Sequence, residues 1–382
     1  MKRRSGKTSK RASVWDICTA MEDIAPMSLA AEWDNTGLLV GDMSWKTRRS
    51  LLTIDFTGGV LDEARRLRCE TVISYHPPIF KPIKQMEVGR WSQEDIAAEA
   101  LSRQIAIYSP HTALDAALGG TNDVVAAMSD IVDAKPFQLM DKPESNCKFV
   151  VFVPEDAADR VADALFMAGC GWIGGYEKCS FRSPGQGTFF GSASTNPRVG
   201  GRGRLERVPE SRLEVVCHES ELNAVVIAMK KAHPYETPAF DVYKLRSIPV
   251  AGVGPGRVGR FAMPISLANL ARSLKRKTRA ANVSMVGDPK ARLVRGLVCV
   301  GAAGDLPLEF PGLGSEKDVV ITGEFRHHDA LEYQRRGVCA IALGHWASER
   351  PVLKPLAARL RKALPSVEFI VSRADRDPYR SV

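Results

Sequence analysis

The chain has 382 residues, 45% of them hydrophobic, and a formal net charge of +9. That is enough for two or three domains with a substantial core, which argues against global disorder. No apolar run approaches the roughly 18 residues of a membrane span, and no secretory apolar core opens the chain.

Residues 1–12 form a basic tail. Lys2, Arg3, Arg4, Lys7, Lys10 and Arg11 occur there without an acid, and the remainder of the chain carries only +3. The tail reads as a solvated, disordered extension, with nucleic acid an unfavoured partner. Eight cysteines are scattered with no Cys-x-x-Cys pair, the usage expected of reduced, buried thiols in a cytoplasmic protein.

From residue 13 the pattern becomes regular. Val14, Ile17, Cys18, Met21 and Ile24 recur at helical spacing until Pro26. A turn and strand follow at 33–41, a strand at 51–55, a helix at 60–68 and a strand at 71–75, after which comes His76-Pro-Pro. Residues 94–104 read as a helix and 105–107 as a buried strand that stops at Pro110-His111. Asp115 lies four residues on, so a helix there places it on one face with His111. The alternation predicts a layered α/β domain.

Residues 134–147 are linker-like. Strand 149–153, helix 157–168, Gly-rich loops, strand 213–217, helix 221–232 and strand 240–244 then follow the ferredoxin-like order, so a separate α+β domain is expected at 146–247. Gly254-Pro-Gly256-Arg-Val-Gly259 matches a dinucleotide fingerprint, but the next residues look like a strand where that fingerprint needs a helix; a tight turn is the better reading. An amphipathic helix at 266–275 and a strand at 294–300 precede two further strand–loop units. One is 318–322 followed by Gly-Glu324 and His327-His328. The other is 338–343 followed by Gly344-His345 and Glu349. A helix at 355–364 and a strand at 367–371 end the pattern.

Five of the seven histidines therefore stand just past a strand-like run, where open α/β sheets gather their ligands. His76, His111, Asp115, His345 and Glu349 are a mixed imidazole and carboxylate set that suits zinc, manganese, iron or nickel better than thiolate-loving metals. Five such ligands exceed what one catalytic zinc needs, so two divalent ions about 3.5–4 Å apart are expected. His327 and His328 remain open as ligands, donors to ligands or an acid–base group, with His328 the candidate catalytic residue. The histidine loops flank the middle segment. The chain thus reads as a discontinuous α/β domain, 13–145 with 248–382, carrying an insert at 146–247.

Trp33-Asp-Asn-Thr-Gly-Leu, Ser74-Tyr-His-Pro-Pro-Ile-Phe80, Tyr108-Ser-Pro-His-Thr-Ala-Leu-Asp115, Thr322-Gly-Glu with His328, and Gly344-His-Trp-Ala-Ser-Glu349 together resemble the NGG-interacting-factor-three-like family, also labelled GTP cyclohydrolase type 2 homologues or dinuclear metal centre proteins. The resemblance runs over about 14–373. It implies a two-metal site with ligand roles at His76, His111, Asp115, His345 and Glu349. Members with a His-His pair would have its first histidine where this chain has Tyr75. The middle segment, with His233-Pro-Tyr-Glu236, resembles the family's inserted PII-like domain, and we read that motif as a structural turn. The resemblance further implies a homo-oligomer, a hexamer built of trimers. It implies a metal-dependent hydrolase acting on a nucleotide or related heterocycle. The competing expectations are a non-catalytic metal carrier or sensor and a transcription-related regulatory adaptor.

Overall fold

The computed structural model describes residues 11–84, 92–138, 147–173, 176–245 and 252–380. The basic tail lies outside the described residues except for Arg11 and Ala12, as do the tip of the loop before residue 92 and most of the linker at 134–147. The chain divides into two compact units, Met1–Met140 with Pro249–Val382, and Asp141–Ile248.

The first unit begins with α1 (Val14–Ile24). Its start is set by Asp16, whose carboxylate accepts from both the backbone N–H and the hydroxyl of Ser13, and Pro26 follows its end. Then come β1 (Gly37–Val40), β2 (Arg49–Thr53), α2 (Gly58–Leu67), β3 (Thr71–Ser74), α3 (Gln93–Ser102), β4 (Ala106–Ser109), α4 (His111–Ala116), α5 (Thr121–Met128) and β5 (Ile131–Lys135). Thr57 and Ser92 cap α2 and α3 by accepting from Val60 and Asp95 N–H.

The second unit contains β6 (Cys147–Pro154), α6 (Ala158–Met167), β7 (Ser180–Phe190), β8 (Leu205–Cys217), α7 (Leu222–Ala232) and β9 (Phe240–Lys244). Its sheet runs β7-β8-β6-β9, antiparallel throughout. Val161, Leu165, Val225 and Met229 of the two helices bury one face against Phe149, Val151, Leu213 and Val215. The sequence reading placed only Gly-rich loops where β7 runs. Pro184, Gly185 and Gly187 hide that strand, and most of its side chains are exposed; register with β8, not apolar alternation, holds it.

The chain then returns to the first unit with β10 (Arg257–Ser266), α8 (Leu267–Thr278), β11 (Ser284–Val286), β12 (Arg292–Ala302), β13 (Asp318–Glu324), α9 (His327–Arg335), β14 (Cys339–Ala342), α10 (His345–Glu349), α11 (Leu353–Ala363) and β15 (Glu368–Val371). Gly254 and Gly256, at φ +149° and +59°, make a turn into β10, not a phosphate-binding helix start. A Cβ at Gly254 would come within 1.9 Å of the Gln138 carbonyl oxygen and one at Gly256 within 1.7 Å of the Phe137 ring, which only glycine avoids. Arg257 is buried, donating Nη1 to the carbonyls of Gly254 and Gly256 and Nε and Nη2 to the Asp123 carboxylate at 2.6 and 2.8 Å.

Two sheets result. One runs β1-β4-β3-β2-β15, the other β11-β14-β13-β12-β10-β5. The order 1-4-3-2 thus repeats: antiparallel β1 flanks four parallel strands, β4, β3, β2 and β15, in the first sheet, and antiparallel β11 and β10 flank three, β14, β13 and β12, in the second. Every position of β3 and β4 is buried, because both faces are covered. Leu52 and Ile73 pack under Ile17, Met21, Leu356 and Leu360, while Leu51 and Val72 face Val60, Leu61 and Ala97. The two stretches of sequence also exchange strands: late β15 joins β2, and early β5 joins β10. The shared parallel direction puts the carboxyl ends of β3 and β4 on one edge of the first sheet and those of β13 and β14 on one edge of the second. No helix of the described residues is long and apolar enough to cross a membrane.

Candidate metal centre

Four strands of the two parallel cores, β3, β4, β13 and β14, release polar side chains as they end. After β3, Tyr75 and His76 keep ladder bonds to the carbonyls of Thr53 and Ile54 at 2.9 and 3.0 Å, and the double proline then turns the chain away. After β4, Pro110 leads into His111, which opens α4 at φ +25°, a left-handed conformation that a non-glycine side chain adopts only under constraint. The constraint is Asp34, whose side chain is fully buried. It takes His111 Nδ1 at 2.7 Å, the backbone N–H of Thr112 at 3.1 Å and the Thr112 hydroxyl. After β14, Gly344 at φ +90° turns the chain so that His345 and Glu349 lie one turn apart on α10.

Ligand atoms of His76, His345 and Glu349 lie within 4.8 Å of one another. Glu349 is almost wholly buried; its Oε1 is 3.1 Å from His345 Nε2 and its Oε2 3.3 Å from His76 Nε2. Glu349 Oε2 nonetheless receives no hydrogen bond. The far nitrogens are already committed: His76 Nδ1 to Asp55 at 2.9 Å and His345 Nδ1 to Glu324 at 3.1 Å. An imidazole whose Nδ1–H is held by a carboxylate offers its Nε2 lone pair outward, the tautomer and orientation that metal-binding histidines use. Gly301, at the end of β12 with φ +63°, completes the cradle: a Cβ there would come within 2.4 Å of Glu349 Oε1 and 3.5 Å of His345 Nε2.

The electrostatics fit a site short of positive charge. Burial works against a charged His76, but the Asp55 and Glu349 carboxylates override it and hold the ring up to about 10. Glu349 raises His345 to about 9 against the opposing effect of burial. Burial would raise Glu349, yet the two histidines hold it below the usual carboxylate range. Protons here stand where a cation would.

His111 and Asp115 lie beside this triad without joining it. The His111 ring is 5.3 Å from that of His76, and Asp115 Oδ1 accepts from the Tyr75 hydroxyl. Burial pushes the Asp115 carboxyl up to about 6. Tyr75 is buried, its ring edge-on to His76 at 5.1 Å and to His111 at 5.7 Å. His328 is the second residue of α9, exposed, with its ring 5.6 Å from that of His327. No contact found among the described residues links it to the triad. The carboxylates Asp34, Asp55 and Glu324 each hold an imidazole Nδ1, and sequence reasoning gave none of them a part in the site. Asp55 and Glu324 stand at strand ends just as the histidines do, and Asp34 sits inside the Trp33-Asp-Asn motif.

Two aromatic side chains border the His111 side. Trp33 is 64% exposed and Phe80 46%, their rings 6.0 Å apart, with Trp33 6.1 Å from His111. Asn35 Nδ2 donates to the Ile79 carbonyl and fixes the two loops together. In the second unit, His233 closes a turn, donating from Nε2 to the Phe152 carbonyl and accepting the Tyr235 N–H at Nδ1, each at 3.0 Å. A cavity of about 770 Å³ lies wholly in that unit and shares no residue with the histidine cluster.

A sequence model of Duf34/NIF3 (NGG1p interacting factor 3) matches residues 12–378. The chain belongs to this family. It is 32% identical over 376 residues to a Halalkalibacterium halodurans protein called GTP cyclohydrolase 1 type 2 homolog, covering 97% of this chain and 99% of that one. The Bacillus subtilis protein of the same name is 31% identical over 374 residues, with the same coverage. Among solved structures, a Bacillus cereus protein related to NIF3 superposes with a TM-score of 0.64 at 30% identity, over 98% of this chain and all of the other. A Staphylococcus aureus protein at 24% identity shares the fold, with a TM-score of 0.66 over 97% and 99% of the two chains. Family membership thus covers both units and every residue of the histidine cluster.

Proposed function

We propose that this protein is a divalent-metal-dependent hydrolase with two cation positions. His76, His345 and Glu349 would hold one; His111 and Asp115 would contribute to the other. The observation that carries the reading is the buried Glu349 Oε2 without a hydrogen bond, facing imidazoles whose Nδ1 atoms are already committed to Asp55 and Glu324. A buried carboxylate oxygen without a hydrogen bond is costly unless something charged stands beside it, the His76 ring 3.3 Å away in the cation-free protein and a metal ion in the loaded one. The donor set of nitrogens and carboxylate oxygens suits zinc, manganese, iron or nickel.

A bound cation supplies Lewis acidity and lowers the pKa of a water it holds. The chain's own residues do the rest. Asp55, Asp34 and Glu324 fix the imidazole tautomers, Gly301 leaves room for the carboxylate, and Trp33 and Phe80 present exposed flat faces beside His111. Such faces suit a planar heterocycle, which agrees with the cyclohydrolase name of the relatives and makes a nucleotide or related compound the substrate class. His328 remains the proposed acid–base group, on its exposed place at the start of α9. The βαββαβ path of the second unit supports a ferredoxin-like, PII-like insert, and we place the protein in a homo-oligomer built of trimers.

Purified protein loaded with manganese or zinc, incubated with GTP, other nucleotides and simple phosphoesters, should release product from at least one nucleotide. His345→Ala should abolish that turnover. No metal-dependent turnover across the panel would overturn the hydrolase reading and leave a carrier.

A further inference from the structure

We propose that the two cation positions are unequal and that Tyr75 makes them so. The position at His76, His345 and Glu349 fills tightly, whereas the one at His111 and Asp115 fills only by displacing the Tyr75 phenol from Asp115. This rests on the reading of the cluster as a cation site.

The two positions differ in what their ligands already do. At the first, three ligand atoms converge, and the buried Glu349 Oε2 has no hydrogen bond, only the His76 ring 3.3 Å away. At the second, Asp115 Oδ1 already accepts from the Tyr75 hydroxyl. Tyr75 is 1% exposed, so no solvent is at hand to take over its O–H if a cation claims that oxygen, and the hydroxyl that neighbours both Tyr75 and Asp115 is that of buried Thr121. Leaving a buried hydroxyl unpaired weakens binding by about tenfold to a hundredfold. The phenol also stands where a ligand would help, with its ring 5.1 Å from His76 and 5.7 Å from His111. A neutral phenol oxygen is a poor donor to these metals, unlike an imidazole nitrogen. His111 meanwhile is pinned by Asp34 in its left-handed conformation, which limits how far it can follow a cation.

Zinc and manganese titrations by calorimetry, with metal content measured after dialysis, test this on the full chain, Tyr75→Phe, Tyr75→His and His345→Ala. The wild type should retain one cation per chain, with the second at least tenfold weaker. Tyr75→Phe, which frees Asp115 at nearly constant volume, should tighten the second position by tenfold or more. Tyr75→His, which adds a nitrogen ligand, should retain two cations. His345→Ala should lose the tight one. Two equal cations in the wild type overturn the proposal, as does a second position unchanged in both Tyr75 variants when melting shows them folded. Retention of none by the wild type and by both Tyr75 variants overturns the cation-site reading itself.

Discussion

Loading the centre must release protons, in a number that depends on pH. Despite burial, Asp55 and Glu349 hold His76 up to about 10, and Glu349 holds His345 up to about 9. A cation needs both Nε2 lone pairs, so near pH 7 it displaces two protons. Each displaced proton makes the apparent affinity rise about tenfold per pH unit, or about 1.4 kcal/mol. Between pH 7 and 8 the rise should approach a hundredfold. It should shrink to about tenfold per unit above about 9 and level off above about 10. The same raised values stabilise the cation-free fold. That contribution is fully present below the unfolded histidine value of roughly 6.5 and fades as pH climbs through 9 and 10. Manganese titrations in two buffers of different ionisation heat count the protons directly. A flat affinity from pH 6.5 to 8.5 with no proton released would refute the reasoning, because the imidazoles would then not carry the protons that a cation must displace.

Two structural variants probe the surroundings. Arg257→Met leaves Asp123 and the carbonyls of Gly254 and Gly256 without their buried partner and should cost about 3–5 kcal/mol in urea unfolding; a loss below about 1 kcal/mol would mean the loop satisfies itself otherwise. Gly301→Ala forces a Cβ to within 2.4 Å of Glu349 Oε1 on a left-handed backbone. It should cost about 1–2 kcal/mol in stability and weaken cation binding more than tenfold, read by melting and by metal content.

The fold class was legible because the strand cores are nearly continuous apolar runs. Leu51, Leu52, Val72 and Ile73 are buried on alternate faces, and the first run ends at Asp55 and the second at His76. Position at strand ends likewise marked out His76, His345 and Glu349, and the i, i+4 spacing of the last two fixed their shared face. Long-range commitments were not legible. Asp34 reaches His111 from 77 residues away, and Glu324 reaches His345 from 21; nothing local in the sequence pairs them. Nor did it show that the Tyr75 hydroxyl would take Asp115, since that contact depends on two strand ends meeting in space. Arg257 reads locally as one more surface cation. Only the fold of the Gly254–Gly256 turn around it shows that it ties α5 to β10. The strand exchange of β5 and β15 escaped for the same reason: periodicity identifies a strand and is silent about its neighbour.

The most direct measurement is the divalent-metal content of the purified protein beside a His345→Ala, Glu349→Ala double variant, with circular dichroism to verify the fold. The account predicts at least one tightly held cation per chain in the wild type and a loss of most of it in a variant that still folds. Equal metal content in both, or none in the wild type after incubation with excess zinc or manganese, would contradict it.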